Sequence, residues 1–141
     1  MKISTKGRYA LRLMLDIALH QAEGPIPLGD ISRRQELSIK YLEQLVSPLT
    51  RAGLLRSTRG ASGGYSLTRP PEDYTAGEII RTLEGSLAPT DCCLQGECSG
   101  HRDVCVTIDL WREVQRAVDA VVDGYTLQDL ADRYRAKNPA E

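Results

Sequence analysis

No apolar run in these 141 residues approaches the roughly 18–20 residues that a membrane span needs, so no membrane partner is expected. The opening residues also lack the apolar core of a secretory leader, because Gly7, Arg8 and Arg12 interrupt it. The chain is therefore expected to be cytoplasmic. There is no internal repeat and no low-complexity tract. The four cysteines contain no Cys-x-x-Cys pair, which removes both the usual dithiol redox motif and the short ligand pairs favoured by structural zinc. Apart from His101, no candidate base accompanies a cysteine. The expectation is a protein that is not an enzyme and has no small-molecule substrate.

The composition, 41% hydrophobic and 26% charged, is that of an ordinary soluble protein. Its length suits one domain, or a compact domain with an appended helix. The formal net charge of −1 hides an asymmetry. Residues 1–70 carry eleven Lys/Arg against five Asp/Glu, and residues 71–141 carry seven against fourteen. A basic half joined to an acidic half suggests that one end meets a polyanion.

Periodicity divides the chain into short elements. Ser4 or Thr5 can cap a helix running to about Ala22, with Ala10, Leu11, Met14, Leu15, Ala18 and Leu19 as its apolar stripe and Leu13 and Ile17 widening it. A second helix covers about Leu28–Gln35. Ser38 caps a third, about Ile39–Ala52, which turns Leu42, Leu45, Val46 and Leu49 inward and contains Pro48, expected to bend or loosen it. Leu54–Ser57 and Tyr65–Thr68 read as strands around a glycine-rich turn. Thr75 and Glu78 form a capping box for a fourth helix to about Leu83. Residues Gly85–Asp103 lack helical periodicity. A long helix runs from near Cys105 to about Asp123, and a short one starts at Thr126.

Three helices and a basic-tipped hairpin, in that order, give the expected fold: mostly α with a small β-hairpin wing, a winged helix-turn-helix followed by a long dimerisation helix. The second helix of such a pair lies in the major groove. Its outward residues here are Ser38, Lys40, Glu43 and Gln44; Gln suits adenine and Glu accepts from cytosine. Arg59 at the wing tip sits among small residues and can approach a phosphate or enter the minor groove. Lys2, Lys6, Arg8, Arg33, Arg34 and Arg56 are candidate phosphate contacts, which position without reading sequence. On the long helix, Trp111, Val114, Val118, Val121 and Val122 form an apolar stripe opposite Asp109, Glu113, Asp119 and Asp123, the pattern of a dimer helix.

Cys92, Cys98 and Cys105 place three thiolates on one segment, where Gly96, Ser99 and Gly100 leave the backbone free to wrap a small inorganic core. Soft sulfur donors suit an iron–sulfur cluster. Zinc and disulfide pairing are the competitors, the latter disfavoured in the cytosol.

Three segments at matching spacing resemble the IscR/CymR/NsrR superfamily of dimeric bacterial winged-helix regulators, most of all its IscR-type iron–sulfur members. They are Met1–Tyr9 (MKISTKGRY), Tyr41–Leu45 (YLEQL) and Arg59–Tyr65 (RGASGGY), and the likeness continues through Thr75–Ile80 and the cysteine segment. The resemblance implies a homodimer on a palindromic double-stranded DNA operator, with base contacts at Ser38, Lys40, Glu43, Gln44 and Arg59. Lys40 stands where IscR has a small polar residue, and Glu43 matches a position that discriminates between operator classes. The resemblance also implies a cluster on Cys92, Cys98 and Cys105, [2Fe–2S] as in IscR or [4Fe–4S] as in NsrR-type nitric oxide sensors. IscR takes a histidine three residues after its last cysteine, but here that position is Ile108, which cannot ligate. Some relatives use an acidic residue near the N-terminus, where this chain has Arg8. Cys93 and His101 are the candidates for a fourth ligand, beside a group from elsewhere in the dimer. The expected function is a regulator that senses cluster status, iron, or redox and nitrosative stress, with a zinc- or thiol-switch regulator as the alternative. The expected organisation is a DNA-binding unit over 1–84, a cluster-binding loop over 85–105, and a dimerisation and C-terminal helix region over 106–141.

Overall fold

The computed structural model describes residues 2–95 and 104–139. Seven α-helices and one hairpin occur among them: α1 (Thr5–His20), α2 (Leu28–Gln35), α3 (Ile39–Arg51), β1 (Leu55–Thr58), β2 (Gly64–Leu67), α4 (Ala76–Glu84), α5 (Asp91–Gln95), α6 (Thr107–Gly124) and α7 (Leu127–Lys137).

Local chemistry accounts for where most helices begin. Ser4, Ser38, Thr75 and Thr126 each sit in extended backbone and accept a hydrogen bond from an amide of the following first turn. At Thr126 the cap is reciprocal, because Asp129 returns a carboxylate to the Thr126 amide at 2.9 Å. That double bond holds the Asp129 carboxyl below the usual carboxylate range, through the backbone bond from Thr126 first and its hydroxyl second. Gly53, at φ 77°, closes α3 in the left-handed region. Pro48 removes one rung of α3, yet the helix continues through Arg51.

Strands β1 and β2 pair antiparallel, Leu55 opposite Leu67 and Thr58 opposite Gly64. Ile26 adds a one-residue bridge on the other edge of β2, exchanging two 2.9 Å backbone bonds with Tyr65. The hairpin is thereby tied to the segment between α1 and α2.

One core runs through this half. Leu13, Met14 and Ile17 of α1, Ile31 of α2, Leu42, Leu45 and Leu49 of α3, Leu55, Tyr74 and Ile79 are all at most 2% exposed. Helix α7 returns from the far end of the chain to this same core, contributing Leu127 and docking Ala131. The Tyr74 hydroxyl, fully buried, donates to Leu54 O at 2.8 Å and accepts from Thr68 N and Arg69 N at 2.9 and 3.2 Å. It thus fixes both the entry and the exit of the wing.

Two sequence expectations are corrected here. The 85–105 stretch is not helix-free, because Asp91–Gln95 forms α5. Five residues are too few to show periodicity, and the helix is held by packing against α6 rather than by its own pattern. In α1, Leu11, Leu15 and Leu19 lie at the edge of the buried face, whose centre is Leu13, Met14 and Ile17 and includes Asp16.

Candidate nucleic-acid interface and cysteine segment

On α3, burial of the 42/45/46/49 stripe turns Lys40, Glu43 and Gln44 outward, and all three are exposed. Ser38 stands at the N-terminus with its hydroxyl oxygen accepting from Tyr41 N at 3.1 Å, so the cap uses the acceptor and leaves the hydroxyl proton to be donated. Tyr41 meets Tyr9 edge to face at 5.9 Å, packing the start of α3 against α1 as a rim aromatic. The turn before α3 contains Glu36 at φ 56°, a left-handed backbone that a side chain adopts at a cost.

Arg59 is exposed at the wing tip. A Cβ at Gly63 would overlap the carbonyl oxygen of Thr58, and one at Gly64 would overlap the backbone of Ile26. The two glycines are therefore the condition for a turn this tight. Lys6 and Arg8 are exposed on the first turns of α1. Arg33 is exposed and pairs with Asp30 at 2.9 Å, a solvated contact of little energetic weight.

Arg34, a candidate phosphate contact by its charge, is engaged within the subunit. Its Nε and Nη2 lie 3.0 and 2.7 Å from the carboxylate of Asp16, which is 2% exposed. That bond holds the Arg34 guanidinium above its ordinary value despite its burial. The physical reason is that Asp16, buried in α1, needs a cation, and α2 delivers one from 18 residues away.

The thiols fall beside α6. Cys92 and Cys93 are half-buried on α5 and line a cleft of about 400 Å³ with Arg112, Gln115 and Arg116. Thr90 Oγ1 lies 3.6 Å from Cys93 Sγ. Cys105 stands two residues before α6, with Sγ 3.3 Å from Thr107 Oγ1. Cys98 and His101 lie outside the described residues. Among the described residues no three His, Cys, Asp or Glu side chains are grouped as a metal site.

Helix α6 buries only Ile108. Trp111, Val114 and Val118 are half-covered, while Leu110 and Val121 are 51% and 59% exposed. Two sets of polar ties that single residue types did not reveal in the sequence join this helix to α4, and α4 in turn to the start of α1. Arg81 of α4 reaches Asp119 at 2.6 Å and Asp123 at 2.7 Å. Glu84, at the end of α4, accepts from Ser4 N at 2.7 Å, from Gly7 N at 3.2 Å and from the Ser4 hydroxyl. Each partner is tens of residues away in sequence, so only the fold brings them together.

A helical pair with a polar outward face, a hairpin wing bridged to Ile26 and exposed basic residues on the first turns of α1 define a winged-helix DNA-binding transcription regulator. The chain belongs to the Rrf2 family, whose model, described as an iron-dependent transcriptional regulator, matches residues 3–133. It is 45% identical over 130 residues to the regulator IscR of Aliivibrio salmonicida, covering 92% of this chain and 77% of that one. It is 49% identical over 131 residues to the regulator CymR of Bacillus subtilis, covering 93% and 90%. The solved structure of that protein, described as the global cysteine regulator, matches with a TM-score of 0.81 at 46% identity over 94% of this chain and 98% of that one. The solved structure of T. potens IscR matches with a TM-score of 0.81 at 42% identity, over 100% and 93%. No helix among the described residues is long and apolar enough to cross a membrane.

Proposed function

We propose that the chain is a cytoplasmic, homodimeric regulator whose hold on a palindromic duplex is set by an iron–sulfur cluster on the segment between α4 and α6. The observation that carries this reading is the continuity of that segment. Cys92 and Cys93 lie against α6, Cys105 leads directly into it, and among the described residues α6 keeps Leu110 and Val121 more than half exposed.

Cys92, Cys98 and Cys105 would hold the cluster, with Cys93 or His101 as the fourth ligand. The donor chemistry fits: soft thiolates suit iron, and Arg112 and Arg116 on the same cleft offset the negative charge of a thiolate-ligated centre. When bound, a cluster of the [2Fe–2S] type, or [4Fe–4S] in the NsrR-like variant, supplies an anchor sensitive to oxidation, nitric oxide and iron supply.

The remaining work belongs to the protein. Residues 85–105 set where α6 begins, and α6 is tied through Asp119 and Asp123 to Arg81 of α4. Helix α4 is tied through Glu84 to the first turn of α1, next to Lys6 and Arg8. A change at the cysteines is thus linked through α6, the Arg81 ion pairs, α4 and Glu84 to the first turn of α1, which carries Lys6 and Arg8. Trp111, Val114, Val118 and Val121 close the dimer, placing two recognition helices about one DNA turn apart. Ser38, Lys40, Glu43 and Gln44 read base edges, Arg59 enters the minor groove, and Lys6, Arg8 and Arg33 position the backbone. Residues 1–84, 85–105 and 106–141 act as reader, sensor and coupling region.

Purification without oxygen tests the reading. The expected protein is coloured, contains iron and acid-labile sulfide, and binds its duplex with an affinity that changes when the cluster is removed. Cys98→Ala and Cys105→Ala are expected to lose the chromophore but remain folded dimers. Arg59→Ala is expected to weaken duplex affinity by about tenfold, on the scale of one lost base or groove contact. Iron-free protein from oxygen-free cells overturns the reading, and a chromophore that survives either cysteine change overturns the ligand set. A second reading rests on the same donors, with the thiols of Cys92, Cys93 and Cys105 acting directly or through zinc. That reading predicts a colourless protein whose affinity follows thiol state or zinc content.

A further inference from the structure

Helices α1, α2 and α7 line a half-open cleft of about 590 Å³, within the size range of small-molecule sites. None of its lining residues belongs to the cysteine segment, and of the candidate phosphate contacts only Arg34, paired with Asp16, lines it. One wall is apolar, made by Leu15 and Leu19 of α1 with Tyr134 of α7. The other is built on Asp16, the buried charged side chain gripped by Arg34.

The second wall forms a relay. Gln35 Nε2 donates to the Asp16 carboxylate at 2.9 Å, which fixes the amide so that its oxygen accepts from Arg12 Nε at 3.1 Å. The Arg12 guanidinium also lies over the Tyr9 ring, 5.1 Å from its centroid. Arg12 is thus held in place through Nε alone, and its two Nη groups have no partner among the described residues. The charge count agrees: Asp16 balances Arg34, and Arg12 leaves the cavity one positive charge in excess. An oriented guanidinium fork beside an apolar wall recognises a carboxylate on a small apolar body.

We propose that this cavity binds a small organic monocarboxylate, with the carboxylate on Arg12 and the body against Leu15, Leu19 and Tyr134. Inorganic phosphate would leave the apolar wall bare, and a neutral isostere would leave the guanidinium unpaired.

The test is an NMR titration of the full chain with benzoate, against benzyl alcohol and inorganic phosphate at matched ionic strength. Benzoate is expected to shift the His20, Gln35 and Tyr134 signals saturably. Benzyl alcohol is expected to bind at least about tenfold more weakly, and Arg12→Gln to weaken benzoate binding by a similar factor, the scale of a lost charge-assisted hydrogen bond. Leu19→Trp, which fills the cavity, is expected to abolish the shifts. Equal binding of the alcohol, phosphate binding as strong as benzoate, or an unchanged affinity in Arg12→Gln overturns the proposal. Arg12 is exposed, so its substitution leaves the fold intact and decides the matter even if Leu19→Trp does not fold. Because the titration needs no metal, its failure is separate from failure of the cluster reading.

Discussion

Helices α3 and α6 are both amphipathic, but the chain treats their apolar faces differently. Helix α3 spends Leu42, Leu45, Val46 and Leu49 on the core it shares with α1, α2 and α4. Helix α6, five residues longer, buries Ile108 and leaves Leu110 and Val121 more than half exposed. A stripe with a 3.6-residue period specifies a helix and a face to cover, but not which surface will cover it. In α3 that surface is internal. Among the described residues α6 packs chiefly on α4 and α5, and the polar ties from Arg81 fix the helix without hiding Leu110 or Val121.

Three substitutions test this contrast. Leu45→Ala is expected to cost about 2–5 kcal/mol, since it opens a cavity at a fully buried site. Urea denaturation measures it, and a loss below about 1 kcal/mol would show that α3 is not part of a packed core. Val121→Asp is expected to leave subunit stability within about 0.5 kcal/mol, as for other exposed positions, while the proposed dimer falls to monomers in light scattering. A dimer that persists with this charge places the subunit contact away from α6. Glu36→Gly is expected to give the smallest effect, a gain of up to about 1 kcal/mol from relief of the left-handed backbone that starts α3. A loss in the same denaturation experiment would mean that the glutamate side chain itself holds the turn.

The sequence made the helices legible where capping and periodicity coincide. Ser4, Ser38, Thr75 and Thr126 mark true starts, and Gly53 marks a true end. It was less informative where stability comes from distant partners. Asp16 reads as a polar interruption of an apolar stripe, and only the fold shows that Arg34 and Gln35 neutralise it. Arg34 consequently looked like a free cation. Helix α5 was invisible because a five-residue helix depends on what it packs against. The outward residues of α3 followed directly from its inward ones, since burying four positions of a helix dictates which others face solvent. The ties made by Glu84 and Arg81 span 77 and 38 residues, separations at which local pattern carries no information.

The hairpin tip restricts how this molecule could be retargeted. Gly63 and Gly64 have no room for a side chain, one against Thr58 and the other against Ile26. A library aimed at new operator preferences through the hairpin is therefore confined to Arg59, Ala61 and Ser62. Randomising the glycine pair would mostly return unfolded clones instead of new specificities.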